Sequence, residues 1–202
     1  GFIIAEKDGY ARTKQQISTN VDSLETQLVL NKLNKLDVNL RIIDLNGNER
    51  SLGSNEFALV SIVEEDREFQ QSLVYPEDSE IELTGGLYEV KIQLFKDQVT
   101  TFEPQKIENC IKVPASGILG IFGAKEEQCN TVEIPAQEVT QMLFGGTSFN
   151  WFVQKSDIEN ANRVTLYAIE YDVPGLVDDL SKIYLELEVN SQYDVFKQPE
   201  FS

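Results

Sequence analysis

The sequence predicts a mainly β fold, a sandwich of short strands with a C-terminal helix and α+β character over the second half. Three observations carry this. From residue 36 the apolar positions recur with period two, Leu36, Val38, Leu40 and Ile42 alternating with Asp37, Asn39 and Arg41, the signature of a half-buried strand. Further runs of this kind follow at close spacing, separated by Asn46-Gly47, Pro76 and Gly85-Gly86, the turn residues expected between sandwich strands. Near the end, Leu176, Val177, Leu180, Ile183, Tyr184 and Leu187 fall on one helical stripe.

In chain order, Phe2-Ile3-Ile4-Ala5 reads as a first short strand or as the stub of a removed signal or membrane anchor. Over residues 18–36, Asp22 and Glu25 have capping-box spacing, and Leu24, Leu28, Val29, Leu33 and Leu36 form a stripe that predicts a helix. The strand from Leu36 ends at Asn46-Gly47, where both positions tolerate positive φ. Strands are then predicted over Phe57–Val63, Glu68–Tyr75, Ser79–Leu83 and Leu87–Phe95, the last with Tyr88, Val90, Ile92 and Leu94 on one face.

The rhythm breaks near residues 97–106, where Pro104 stands. This suggests an N-terminal segment (1–35), a β-sandwich domain (36–104) and a C-terminal α+β region (105–202), or one continuous domain. Beyond it, Thr131–Ile134 is predicted as a strand. Pro135 then opens a short helix bearing Val139, Met142 and Leu143, stopped at Gly145-Gly146. Strands follow over Thr147–Gln154 and Arg163–Tyr171, with a capped helical turn at Ser156 and Glu159 between them. Pro174-Gly175 opens the terminal helix, with Asp178 and Asp179 in its first turn, where the helix dipole favours them. The tail from Gln192 is either frayed or docked.

Composition excludes several functions. Thirty-four acidic residues against seventeen basic ones give a formal charge of −17, which repels a phosphate backbone and argues against nucleic-acid binding. There is no histidine, so imidazole-based acid–base chemistry, serine triads and most zinc sites are not expected. Nor is there a phosphate loop, dinucleotide fingerprint or nucleophile elbow. No cofactor is implied. Chemistry that needs only carboxylates, such as glycan hydrolysis, remains open.

Leu36-Asp37-Val38-Asn39-Leu40-Arg41-Ile42-Ile43-Asp44-Leu45-Asn46-Gly47, followed by Ile81-Glu82-Leu83-Thr84-Gly85-Gly86-Leu87-Tyr88-Glu89-Val90-Lys91-Ile92, resembles the transthyretin-like or carboxypeptidase-regulatory-like β-sandwich domain. In that family a first strand ends in Asp-x-x-Gly and a later strand reads Leu-x-x-Gly-x-Tyr-x-Val. The resemblance covers roughly residues 36–95 and makes the expected sandwich immunoglobulin/transthyretin-like. It implies a structural or adhesive module of secreted and surface proteins, with no catalytic residues to carry over.

The candidate sites are few. Cys110 and Cys129 are expected to form a disulfide, which places the chain in an oxidising compartment, extracellular or at the cell surface. Between them, Gly117–Gly123 spaces Ile118, Leu119, Ile121 and Phe122 with glycines. Such a segment is either folded onto the core or displayed as a contact loop. Asp44–Glu49 and Glu64–Glu68 are oxygen-rich and compatible with weak calcium binding, but read first as a tight turn and a solvated loop. Tyr88, Trp151, Tyr167, Tyr171 and Tyr184 form either a carbohydrate platform or core and cross-strand pairs. The expected function is non-catalytic contact with a protein partner or self-assembly. The alternative is a carboxylate-dependent glycan-active enzyme or carbohydrate-binding domain.

Overall fold

The computed structural model describes residues 1–18, 26–65, 69–102, 104–114, 125–172 and 177–202. Its centre is one curled, mainly antiparallel sheet built from β3 (Asn34–Ile43), β4 (Glu49–Arg50), β5 (Glu56–Glu64), β6 (Gln70–Tyr75), β7 (Glu80–Leu83), β8 (Gly86–Phe102), β11 (Gln137–Val153), β12 (Arg163–Glu170) and β13 (Glu200–Phe201). The path runs β4-β3-β12-β11-β8-β5-β6, with β7 on β3 and β13 on β12. The chain is mainly β, as the sequence predicts, and the curl gives a sandwich-like enclosure of the core. Strands from both sides of residues 97–106 share this sheet, and β12 lies parallel to β3 from Arg163↔Asp37 to Ile169↔Ile43.

Period-two patterning builds the interior. Leu36, Val38, Leu40 and Ile42 of β3 are buried with Val60 and Ile62 of β5, Tyr88, Val90, Ile92 and Leu94 of β8, and Val164 and Leu166 of β12. Each fully buried aliphatic side chain contributes about 1.5–3 kcal/mol of transfer free energy. At the seam, the Gln71 side chain of β6 accepts the Glu82 N–H of β7 at 2.9 Å and offers its own amide N–H to the Glu80 carbonyl at 3.5 Å. One amide thus bridges two edges that share no ladder.

The predicted strands from Leu36 to Phe95 and from Arg163 are present. Phe2–Ala5 is the strand β1, paired antiparallel with β2 (Thr13–Gln16). The helix expected over 18–36 is not formed by its described part. Residues 19–25 lie outside the described residues, and 26–33 is irregular. Its backbone bonds run instead to residues 9–13, with Ala11 N–H to Asn31 at 2.8 Å and Leu33 N–H to Gly9 at 2.9 Å. These tertiary bonds outweigh a weak local stripe.

The helix expected after Pro135 is also replaced. Residues 137–153 form one strand, in which Met142, Leu143 and Phe144 are all buried. Gly145-Gly146 does not stop a helix. It is where β11 is squeezed between two neighbours: a Cβ on Gly145 would lie 2.3 Å from the Ile169 carbonyl oxygen, and one on Gly146 (φ +146°) 2.1 Å from that of Ile92. Helix α1 (Lys155–Glu159) forms without a side-chain cap, so the expected Ser156–Glu159 capping box is not made, and Ser156 Oγ donates to Asp157 instead.

Helix α2 (Val177–Val189) packs Ile183 and Leu187 against Leu143, with Phe95 and Tyr171 beside them. Pro174-Gly175 and Leu176 lie outside the described residues. Tyr184, expected on the buried stripe, is exposed. A buried polar knot fastens the end of this helix. Asn190 Oδ1 accepts from Thr147 Oγ1 at 2.9 Å, and its Nδ2 donates to the Gly146 carbonyl at 2.8 Å and to Tyr171 Oη at 3.2 Å. The tail is docked: Phe196 meets Phe149, Phe201 stacks on Trp151, and Ser202 exchanges backbone bonds with Arg163.

Candidate functional site

Two places in the fold collect the residues that sequence reading singles out. One is a two-stranded arm, the other a cleft around Arg50.

The arm begins where β8 outlives its neighbour. β5 pairs with β8 only as far as Glu56↔Lys96, and Asn55 closes that end by accepting the Asp97 N–H at 2.8 Å. From there β8 pairs with β11 alone, through register shifts near Val139/Gln141, out to Phe102↔Gln137. The same register resumes in β9 (Gln105–Pro114) and β10 (Lys125–Ile134), from Gln105↔Ile134 to Pro114↔Lys125. The ribbon from residue 100 to 114 and back from 125 to 139 is therefore about 50 Å long at roughly 3.3 Å per residue. Among the described residues, β9 and β10 pack against each other and make no extensive contact with any other element.

Within the ribbon Cys110 faces Cys129 directly, and the two are joined in the expected disulfide. Strand alternation sorts the remaining residues. Lys106, Glu108, Lys112, Glu127, Thr131 and Glu133 share the disulfide's face, with Lys106 Nζ 2.6 Å from Glu133. Ile111, Val113 and Val132 stand on the other. Ile111 is 55% exposed and Val132 57%, so this apolar face has no second layer among the described residues. Residues 115–124 connect the strands at the far end. They carry Ile118, Leu119, Ile121 and Phe122, which lie outside the described residues.

The cleft, about 460 Å³, is bordered by Asp44, Arg50, Glu56, Phe144, Glu170 and Tyr171. Arg50 reaches it from β4 over the Phe144 ring and forks onto Glu56 (2.6 and 3.2 Å), while its Nε donates to Glu170 at 2.9 Å. Burial pushes the Glu56 carboxyl up, but the Arg50 guanidinium and the Gly53 N–H outweigh it and hold the group below its usual range. A glycosidase acid needs the opposite shift. Asp44 is occupied with its own turn. Its Oδ1 accepts the Asn46 and Asn48 N–H groups at 2.8 Å and its Oδ2 accepts Asn48 Nδ2 at 2.8 Å, the Asx geometry expected of an Asn-Gly turn.

The structure does not bring the five aromatics together as a platform. Tyr88 and Trp151 are a buried cross-strand pair, Tyr167 is buried, and Tyr184 is exposed on α2. Tyr88 Oη donates to the Thr84 carbonyl at 3.0 Å and accepts its N–H at 3.2 Å. Tyr167 is pushed up to about 12 by burial and by Glu200, whose carboxylate it donates to. Among the described residues no group of three or more His, Cys, Asp or Glu is placed to hold a metal ion, and no helix is long and apolar enough to cross a membrane, which says nothing of β-barrels.

Sequence reading missed the arm as a unit. The signal was present, since Lys106, Glu108, Cys110 and Lys112 alternate with Ile107, Ile111 and Val113, but the prolines at 104 and 135 read as breaks. No family model, no curated protein and no solved structure matches this chain.

Proposed function

We propose that this chain is a non-catalytic structural or binding module of an extracytoplasmic or cell-surface protein, acting by protein–protein contact through its β-ribbon arm. The observation that carries this is the β9–β10 part of the ribbon, exposed on both faces in its described side chains except for the partly covered Val113. Such a ribbon is marginal alone in water, and here a disulfide staples it. A disulfide in such an exposed element fits an oxidising compartment. Between its two strands the sequence carries Gly117–Gly123, where glycines space Ile118, Leu119, Ile121 and Phe122. Residues 36–95 form the scaffold, in the manner of a transthyretin-like or carboxypeptidase-regulatory-like domain. The Tyr88–Thr84 hydrogen bonds favour this kinship, since sandwich domains use a tyrosine in this way to pin a corner.

Against the glycan-active alternative stands the chemistry of the Arg50 cleft, whose Glu56 and Glu170 are engaged by the guanidinium, with the Glu56 carboxyl held below its usual range. The test is a photo-reactive side chain placed at Phe122 or at Phe152, an exposed position on the body (68%), with the protein in its native surroundings. The contact reading expects adducts from position 122 and not from 152. Adducts from 152 alone, or reducing ends released from a panel of soluble glycans and lost in Glu56→Gln, overturn it.

A further inference from the structure

We infer that the partner of the arm is a second copy of this chain, joined antiparallel along the outer edge of β9 about a two-fold axis at Cys110. This rests on the arm being the contact element.

The edge geometry comes first. Cys110 and Cys129 have a Cα–Cα distance of 4.0 Å, the close spacing of a non-hydrogen-bonded antiparallel pair. The N–H and C=O groups of Cys110 therefore point away from β10, and by alternation so do those of Lys106, Glu108 and Lys112. Pro114, which has no N–H, falls on the same outward set, where proline is tolerated in a strand. Among the described residues the outer side of β9 is thus an open ladder.

Charge then selects the occupant and the register. The chain carries −17 overall, so copies repel each other almost everywhere. β9 carries net positive charge instead, with Lys106 and Lys112 against Glu108 alone. With the axis at Cys110, each Glu108 faces the second copy's Lys112 and each Ile107 faces its Val113, twice by symmetry. Moving the axis to Asn109 sets Lys106 against Lys112, and moving it to Glu108 sets that carboxylate against itself. An axis at Ile107 sets Lys106 against Glu108 but Lys112 against the buried Phe102 at the arm's base, whereas the Cys110 register sets opposite charges face to face within β9 and lets the outward groups of Cys110, Glu108 and Lys112 bond reciprocally. A C2 contact of this kind closes on itself and stops at two copies. The product is a four-stranded ribbon with one apolar face, past the three strands a sheet needs to hold together where a lone hairpin does not.

Sedimentation equilibrium of the full disulfide-bonded chain from low to high micromolar concentration tests this, with thermal midpoints as the control for folding. The wild type is expected to reach a dimer. Glu108→Lys and Lys112→Glu each place two like-charge pairs across the axis and weaken the dimer about tenfold or more. The double variant E108K/K112E restores opposite pairs and brings the affinity back. A monomeric wild type, or a double variant as weak as the singles at unchanged thermal midpoint, overturns the second copy as partner. If the wild type stays monomeric while a photo-reactive side chain at Phe122 captures another protein, the second copy falls and the contact reading stands. If that position captures nothing, both fall.

Discussion

Cys110 and Cys129 stand directly opposite each other in a ribbon that packs extensively against nothing else, 4.0 Å apart at Cα. The bond ties two strands whose extensive contacts, among the described residues, are with each other. Closing a loop of this size is worth about 3 kcal/mol in the chain-entropy model, and in an element outside the core that stabilisation is local.

Reduction, or Cys110→Ser with Cys129→Ser, is therefore expected to speed amide hydrogen exchange over residues 105–114 and 125–134 by about a hundredfold. Exchange over the β5–β8 ladder should stay unchanged. Equal acceleration in both regions would show that the arm and body unfold as one unit.

Arg50 forks onto Glu56, whose side chain is only 8% exposed. Arg50→Met leaves that carboxylate buried without its cation and should cost about 2 kcal/mol at pH 7, below the range for a fully buried pair because Arg50 itself is partly exposed. The pH dependence has a definite sign. The folded-state pKa of Glu56 is lowered from 4.5, so its contribution is fully present above that value and is lost as pH falls through the lowered one. Urea midpoints of the wild type should drop on acidification across that window. Those of the variant, in which only the Gly53 N–H and the Lys96 charge still act against burial on Glu56, should fall less. Parallel curves would contradict the assignment.

Asn190 is fully buried and bonds Thr147, Gly146 and Tyr171 at once. Asn190→Ala orphans the Thr147 hydroxyl and the Gly146 carbonyl, at a cost of about 2–3 kcal/mol. The thermal midpoint should fall and α2 should exchange faster, while the β9–β10 ribbon keeps its protection. A loss under 0.5 kcal/mol would mean that the knot is replaced by water.

The body was legible because its signal is local. Leu36, Val38, Leu40 and Ile42 alternate, and a buried face makes that register binding on the chain. The tail's docking was left open in the sequence because Phe196 and Phe201 are isolated apolar residues whose partners, Phe149 and Trp151, lie about fifty residues away in the chain. The helix expected after Pro135 failed for a related reason. Val139, Met142 and Leu143 suit a helix, but the ladder with β8 runs the length of β11 and decides the outcome. The arm escaped because its alternation is weak and its apolar face has no second layer. A sequence read for core positions has no reason to build a strand there. The cleft escaped because Arg50, Glu56 and Glu170 are brought together only by the sheet.

The central claim is that the arm makes the contact and the sheet carries it. Phe102 and Gln137 face each other at its base, so residues 103–136 can be replaced by a short flexible Gly/Ser linker. One comparison then decides: intermolecular cross-linking of the shortened and full-length proteins in their native surroundings, with thermal midpoints alongside. The account expects the shortened protein to melt within about 3 °C of the original and to lose its intermolecular adducts. Full retention of those adducts on a folded body would contradict it.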